Sequence, residues 1–339
     1  MTRRRLSGAW IAAGAATTSG VSVFVNGYGV HAVSSPAVYT TAKNVVATAV
    51  LAIAAAAGLR WRRSRSSRGL PFLARFLEVG RPTPAASRRP VGPFRPLRPL
   101  TRALGLGYVG LAGGGLAFVL FFDGLADTAA TPAAFFRDTL VVWVGLLGFF
   151  ALRERLTRWN LAAIALLLVG QVAIAGGVGR LAADRGELLV LASTLIWAVE
   201  VVVAKVLLRD LTPSAVSLTR MGVGALALIG YLVLTGHGGA LVSFDASQLG
   251  WILLTGSLLA LYVGLWMSAL ANARAVDVTS VLVGSALLTA LLQALAGTAS
   301  LSPVPVTVGL SLVAAGTAVV LWQALRRPQL LLGARSRPG

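Results

Sequence analysis

The chain has 339 residues, 56% of them hydrophobic and only 12% charged, with a mean hydropathy of +0.80. Soluble domains carry roughly 25% charged residues, so a chain this apolar cannot cover a water-facing surface. The formal net charge of +19 is not a nucleic-acid footprint, because the arginines gather in the gaps between apolar segments, and the absence of cysteine excludes disulfides, thiolate metal sites and thiol catalysis.

A membrane-spanning helix needs about 20 mostly apolar residues. Apolar runs between polar breaks predict ten of them, near 8–30, 36–59, 103–122, 132–152, 159–178, 186–208, 213–235, 248–270, 275–299 and 304–325. The first run follows Arg3, Arg4 and Arg5 and reads either as a signal peptide or as a retained first helix. Its part in an internal repeat, described below, favours the helix. Pro36, Pro132 and Pro213 stand near helix starts, where a missing N–H costs least. Trp61, Trp159 and Trp251 stand near span ends, the usual place for interfacial tryptophan. Between the second and third runs lies a basic segment, 60–102, with twelve arginines and Glu78 as its one acid. It reads as a cytoplasmic linker or as a surface held to anionic lipid, at about 1 kcal/mol per basic residue. Its apolar piece 71–79 fits an interfacial helical turn.

Charge sets the orientation. With the N-terminus inside, the inner segments hold Arg3–Arg5, the arginines of 60–102, Arg153, Arg155, Arg158, Arg209, Arg274 and the four arginines after 325. The outer loops hold only Arg180 and Arg185, with Asp123, Asp127, Asp184, Glu187 and Asp245. Ten spans bring the C-terminus back to the same side, so both termini are expected in the cytoplasm. Basic residues are almost all arginine, with Lys43 and Lys205 the two lysines. Together with abundant Ala, Gly, Leu and Val, this points to a GC-rich bacterial genome and a bacterial cytoplasmic membrane.

Two pairs of stretches align without a gap: 20–45 with 197–222, and 120–136 with 266–282. Pro36 falls on Pro213, Lys43 on Arg220, and Gly170 on Gly316. This divides the chain into 1–178 and 179–339, five helices each. An odd number per half places the second half upside down relative to the first. The expected fold is all-α and integral to the membrane, with ten transmembrane helices in two inverted five-helix repeats. That plan recurs in secondary transporters, with the substrate near the midplane between the halves.

At these residues the chain resembles the EamA-type branch of the drug/metabolite transporter superfamily. The best local match is 134–174, where Arg153, Glu154, Arg155, Leu156, Thr157 and Gly170 occupy the places that end the family's fourth helix and run through its fifth. Pro36 with Lys43, Pro213 with Arg220, and Trp197 match further family positions. Val141 and Leu287 stand where a fourth-helix proline is usual, Ser300 stands opposite Glu154, and Gly20 opposite Trp197. The resemblance implies transport of small organic molecules, often outward.

A charge at mid-membrane costs about 2.5–3.5 kcal/mol on insertion scales and usually faces a cavity or a partner. Lys43, Arg137 and Asp138 fall in the outer thirds of helices two and four, Glu200, Lys205 and Arg220 in the inner thirds of helices six and seven. Asp138 is expected to neutralise Lys43 or Arg137, and Glu200 to neutralise Arg220. Either these groups form gates or a split binding site, or they only fix helix register. In the first case a substrate carboxylate or phosphate competes for Lys43 or Arg220, and Asp138 or Glu200 carries a proton. Adjacent Arg137 and Asp138 point about a hundred degrees apart on a helix, so one of them is expected to serve structure. Lys205 lies close enough to its helix end to snorkel. Trp143 and Trp197 are candidates to line a cavity, and Gly107, Gly110 and Gly114 a close-packing face. Asn26, Asn44 and Gln293 are buried amides able to bond across helices or to a ligand.

Other chemistry is poorly represented. His31 and His237 lie in different predicted outer loops with no ligand cluster, and no phosphate-binding Gly-Lys-Ser/Thr motif occurs. No enzyme or cofactor is expected. The readings left are a secondary transporter of small molecules, possible proton coupling included, and a non-transporting membrane scaffold on the same fold.

Overall fold

A computed structural model describes residues 2–33, 35–63, 97–128, 130–154, 156–174, 177, 184–297 and 304–333. Among these residues every regular element is a helix. Inside a bilayer the helix satisfies its own backbone donors and acceptors, which hydrocarbon cannot do.

Helix α1 runs Thr2–Ala32 and α2 Pro36–Arg63. Helix α3 runs Pro99–Asp127 and opens into a π-helical stretch, Tyr108–Leu116, over the glycine-rich YVGLAGGGL. Helix α4 is in two pieces, Ala130–Asp138 and Leu140–Ala151, with the break at Thr139. Helix α5 is Arg158–Ile174, α6 Arg185–Leu207, α7 Pro213–Leu234 and α8 Ala246–Asn272. Helix α9 is also broken, Ala275–Val283 then Ser285–Leu295, about Gly284, and α10 is Val304–Gly333.

Among the described residues, nine of these helices are long and apolar enough to cross a membrane. The tenth expected span, 159–178, corresponds to α5, which is described over Arg158–Ile174 and is apolar but shorter. The expected interfacial turn at 71–79 and most of the basic segment lie outside the described residues. His31 belongs to the last turn of α1, not to a loop.

The helix starts carry their own stop signals. Asp184 caps α6 by accepting from Glu187 N at 2.8 Å, Thr212 caps α7 ahead of Pro213, and Asp245 with Gln248 forms a capping box on α8. In packing, α1 lies on α8 and α9, α6 on α3 and α4, α2 on α8 and α7, α7 on α3, and α5 on α10. Small buried residues let the backbones approach, as transmembrane packing prefers: Ala12, Ala15, Ala198, Ala204, Ala260 and Ala269 are buried with Val109, Val144 and Val263. Large exposed side chains such as Ile53, Phe150, Leu226 and Leu234 face outward, the distribution expected when the surrounding solvent is lipid.

Candidate functional site

The innermost charges are on α6 and α7. Glu200 is fully buried and Arg220 nearly so. Arg220 Nε donates to Glu200 Oε1 at 2.5 Å and Nη2 to Oε2 at 3.3 Å, a two-point pairing of carboxylate and guanidinium. The expected neutralisation of Arg220 by Glu200 is therefore present. The guanidinium also lies between two aromatic rings, Phe118 of α3 at 5.7 Å and Trp266 of α8 at 5.4 Å. Trp266 stacks in turn on Tyr262 at 6.2 Å. Opposite the carboxylate is Gly113 in the π-helical stretch of α3, where any Cβ would overlap the Glu200 side chain. The widened turn and absent side chain make room for the ion pair. Gly113 O accepts from Trp197 Nε1 at 3.0 Å, and Trp197 packs on Phe118 and Phe121. Trp197 thus supports the wall of this site through its ring and one hydrogen bond.

The Lys43 ammonium, from α2, donates to Asn26 Oδ1 of α1 at 3.0 Å and lies 5.2 Å from the centre of the Tyr39 ring. Tyr39 Oη is 2.9 Å from both Asn26 Oδ1 and Thr255 Oγ1 of α8. Asp138 does not neutralise Lys43. It pairs with its chain neighbour Arg137 at 3.4 Å and accepts from Gln171 of α5 at 2.7 Å. The pairing with Arg137 is the other of the two alternatives expected for Asp138. The two residues close the first piece of α4, and the long arginine side chain reaches the carboxylate of the next residue. Trp143 Nε1 donates to Thr139 Oγ1 at the break in α4, so Trp143 is tied to that kink. Glu200, Arg220 and Trp197 come together around Gly113, Arg137 and Asp138 pair beside Thr139, to which Trp143 is bonded, and Lys43 sits with Asn26 and Tyr39.

The EamA-like transporter family matches residues 84–176 and 184–322. The chain belongs to the EamA-like transporter family. An "Uncharacterized transporter" of Methanothermobacter thermautotrophicus (strain Delta H) is 29% identical over 126 residues, 36% of this chain and 37% of that relative's length. A solved crystal structure of a protein shares the fold with TM-score 0.69 at 20% identity, covering 95% of this chain and 99% of that one. The EamA-family chain is thus a multi-pass membrane protein of a transporter family.

A polar network in this EamA-family protein joins Lys205, Glu154 and Arg274 to Asn160 and Asp277, which no motif or charge pattern had singled out. Lys205 reaches along its helix to the end of α8. Its ammonium donates to Leu270 O and, at 2.5 Å, to Ala273 O, satisfying carbonyls that the end of α8 leaves open. Glu154 Oε1 accepts from Ala275 N at 3.0 Å and so caps α9 from the end of α4. Arg274 pairs with Asp277, and Asn160 of α5 bonds to both. Asp277 had a readable signal, an acid three residues after Arg274 at a helix start. Trp266, Phe118, Tyr39 and Thr255 had none, because an apolar or hydroxyl residue in an apolar run looks the same on every face. Gly110 and Gly114 do form a close contact, against Val223 and Arg220 O of α7, whereas Gly107 has nothing within 4 Å.

Proposed function

We propose that this EamA-family protein is a secondary active transporter that moves small organic metabolites or drugs by alternating access between two inverted five-helix halves, 1–178 and 179–339. In this reading α5 is the tenth span, and the protein sits in a bacterial cytoplasmic membrane with both termini inside. The observation that carries the reading is the Glu200–Arg220 pair, buried between Phe118 of the first half and Trp266 of the second. A paired charge at that depth is costly to keep, and at the contact of two bundles it sits where a substrate or a proton would be exchanged.

The inverted repeat has support of its own. Exchanging the halves turns α1 on α8 into α6 on α3, α2 on α8 into α7 on α3, and α1 on α9 into α6 on α4, and all of these contacts occur. The spacing that aligns 20–45 with 197–222 takes Val46 onto Val223. The spacing that aligns 120–136 with 266–282 takes Gly110 onto Gly256. Gly110 packs on Val223, and Gly256 packs on Val46. The same spacing relates the two contacts of the α5–α10 crossing, Gly170 against Gly309 and Gly316 against Ala163. Both broken helices, α4 and α9, occupy equivalent places.

Asp138 and Glu200 are the carboxylates available for proton coupling. One charge moving through 100 mV is worth about 2.3 kcal/mol, enough for a modest gradient. Purified protein in liposomes with an imposed proton gradient is expected to carry flux of at least one member of a panel of amino acids and cationic drugs. Asp138→Asn with Glu200→Gln is expected to abolish the gradient-driven part. Absence of flux for the whole panel, or full gradient-driven flux in the double variant, removes the mechanism.

The tightness of the Glu200–Arg220 pair favours a second reading, a membrane scaffold on a transporter fold, in which the pair only fixes register. That reading expects an unchanged structure and no flux in the same liposomes.

A further inference from the structure

The two intramembrane cations related by the repeat are not in equivalent surroundings. Arg220 has a carboxylate on it at 2.5 Å, and its Nη1 is directed at the sulfur of Met221. Lys43 has no carboxylate within 4.0 Å among the described residues; its neighbours are one amide oxygen and the Tyr39 ring. An ammonium has three N–H donors, and one of them is used on Asn26. The aligned stretches put Val23 of α1 where Glu200 stands in α6, so the acid that completes the second half is missing from the first. Asn26, one turn further along α1, supplies a neutral oxygen in its place, and that oxygen already faces Tyr39 Oη as well. Thr255 of α8, which packs on α1 and α2, adds a hydroxyl beside it.

We infer that Lys43 is an anion-binding subsite, at which a carboxylate or phosphate oxygen of a small organic ligand takes the place that Glu200 holds at Arg220. The inference rests on the transporter reading above for its biological sense. Its geometry stands apart from it. A lone ammonium at this depth gains from an oxyanion far more than a surface lysine does, because little water competes for it. Arg220 is unsuited to the same task, since a ligand there must first displace a buried carboxylate that already makes two hydrogen bonds.

The test is equilibrium binding to the purified full chain in detergent, read as the ligand-dependent rise in melting temperature. Three probes are titrated: succinate for the carboxylate, glycerol 3-phosphate for the phosphate monoester, and tetraphenylphosphonium as an organic cation. At least one anion is expected to stabilise the wild type, and which one does so assigns the oxyanion. Lys43→Met is expected to weaken that anion by about tenfold or more, as loss of a charge-assisted hydrogen bond does, and Lys43→Arg to retain most of it. If Lys43→Met does not fold, Asn26→Asp decides. It places a carboxylate where the amide oxygen now lies 3.0 Å from the ammonium, so it keeps Lys43 satisfied while expelling the anion. Stabilisation by neither anion, or anion binding unchanged in Lys43→Met or Asn26→Asp, overturns the inference. Anion binding that needs Lys43 without flux in liposomes would leave the subsite standing and remove the transporter. Flux with binding of the cation alone would do the reverse.

Discussion

Glu200 and Arg220 hold each other in a place where neither would be tolerated alone. Removing one partner of a buried pair leaves an uncompensated charge and typically costs about 3–5 kcal/mol, whereas replacing both with apolar groups of similar volume is often neutral. Arg220→Met and Glu200→Leu are therefore each expected to lower the melting temperature of the purified protein sharply, and the double variant to recover most of the loss. Equal additive losses in the double variant would show that the two residues act separately. At this scale the charged residues themselves were legible, since an ionisable group in an apolar run stands out. Their partners were less so. Glu200 with Arg220 was the simplest match on adjacent helices and is present. For Asp138 the sequence left Lys43 and Arg137 open, and the pair that forms is with Arg137, the nearer partner beside the break at Thr139. The Arg185–Asp127 pair at 2.9 Å is largely exposed and adds little to stability.

Helices in this protein meet through glycine faces and are interrupted at two defined points. Gly170 of α5 and Gly309 of α10 touch backbone to backbone. A Cβ at 170 would lie 2.7 Å from Gly309 O, and neither backbone can yield cheaply. Gly170→Val is expected to force α5 and α10 apart and to yield aggregated protein on size-exclusion chromatography. Gly107→Ala, with open space around it, is expected to stay within about 0.5 kcal/mol of the parent. A monodisperse, stable Gly170→Val would mean that this crossing is not close-packed. The apolar periods located each described helix, with ends off by up to eight residues at the end of α10, but not the breaks in α4 and α9 or the π-helical stretch in α3. These depend on what faces the backbone. The π turn lies against the Glu200 carboxylate, and Thr139 is held by the Trp143 indole. A run of glycines or a lone threonine does not announce either.

At the scale of the molecule, arginine asymmetry predicts the orientation in the membrane. The chain has no native cysteine, so single cysteines report it cleanly. In intact cells Ser243→Cys, in the exposed stretch between α7 and α8, is expected to react with a membrane-impermeant maleimide. Ser66→Cys, in the basic segment, is expected to react only after the membrane is opened. The reverse pattern would invert the topology. The polar network of Lys205, Glu154, Asn160, Arg274 and Asp277 then lies at the cytoplasmic end, joining α4, α5 and α6 to the junction of α8 and α9.

Hydropathy and charge, which are additive properties of short windows, determined by themselves that this chain is a helical membrane protein, where its helices fall, and which residues are out of place in lipid. The proposed repeat was legible there as well, because prolines, a basic residue and a glycine recur at matching intervals. Only the tertiary structure decided which of those misplaced charges are answered and which are not. That depends on distances of 2.5 to 4 Å between helices far apart in the chain, set by how glycine faces, helix breaks and a widened turn rotate one helix against another. The contrast between Arg220 on its carboxylate and Lys43 on an amide is of that kind.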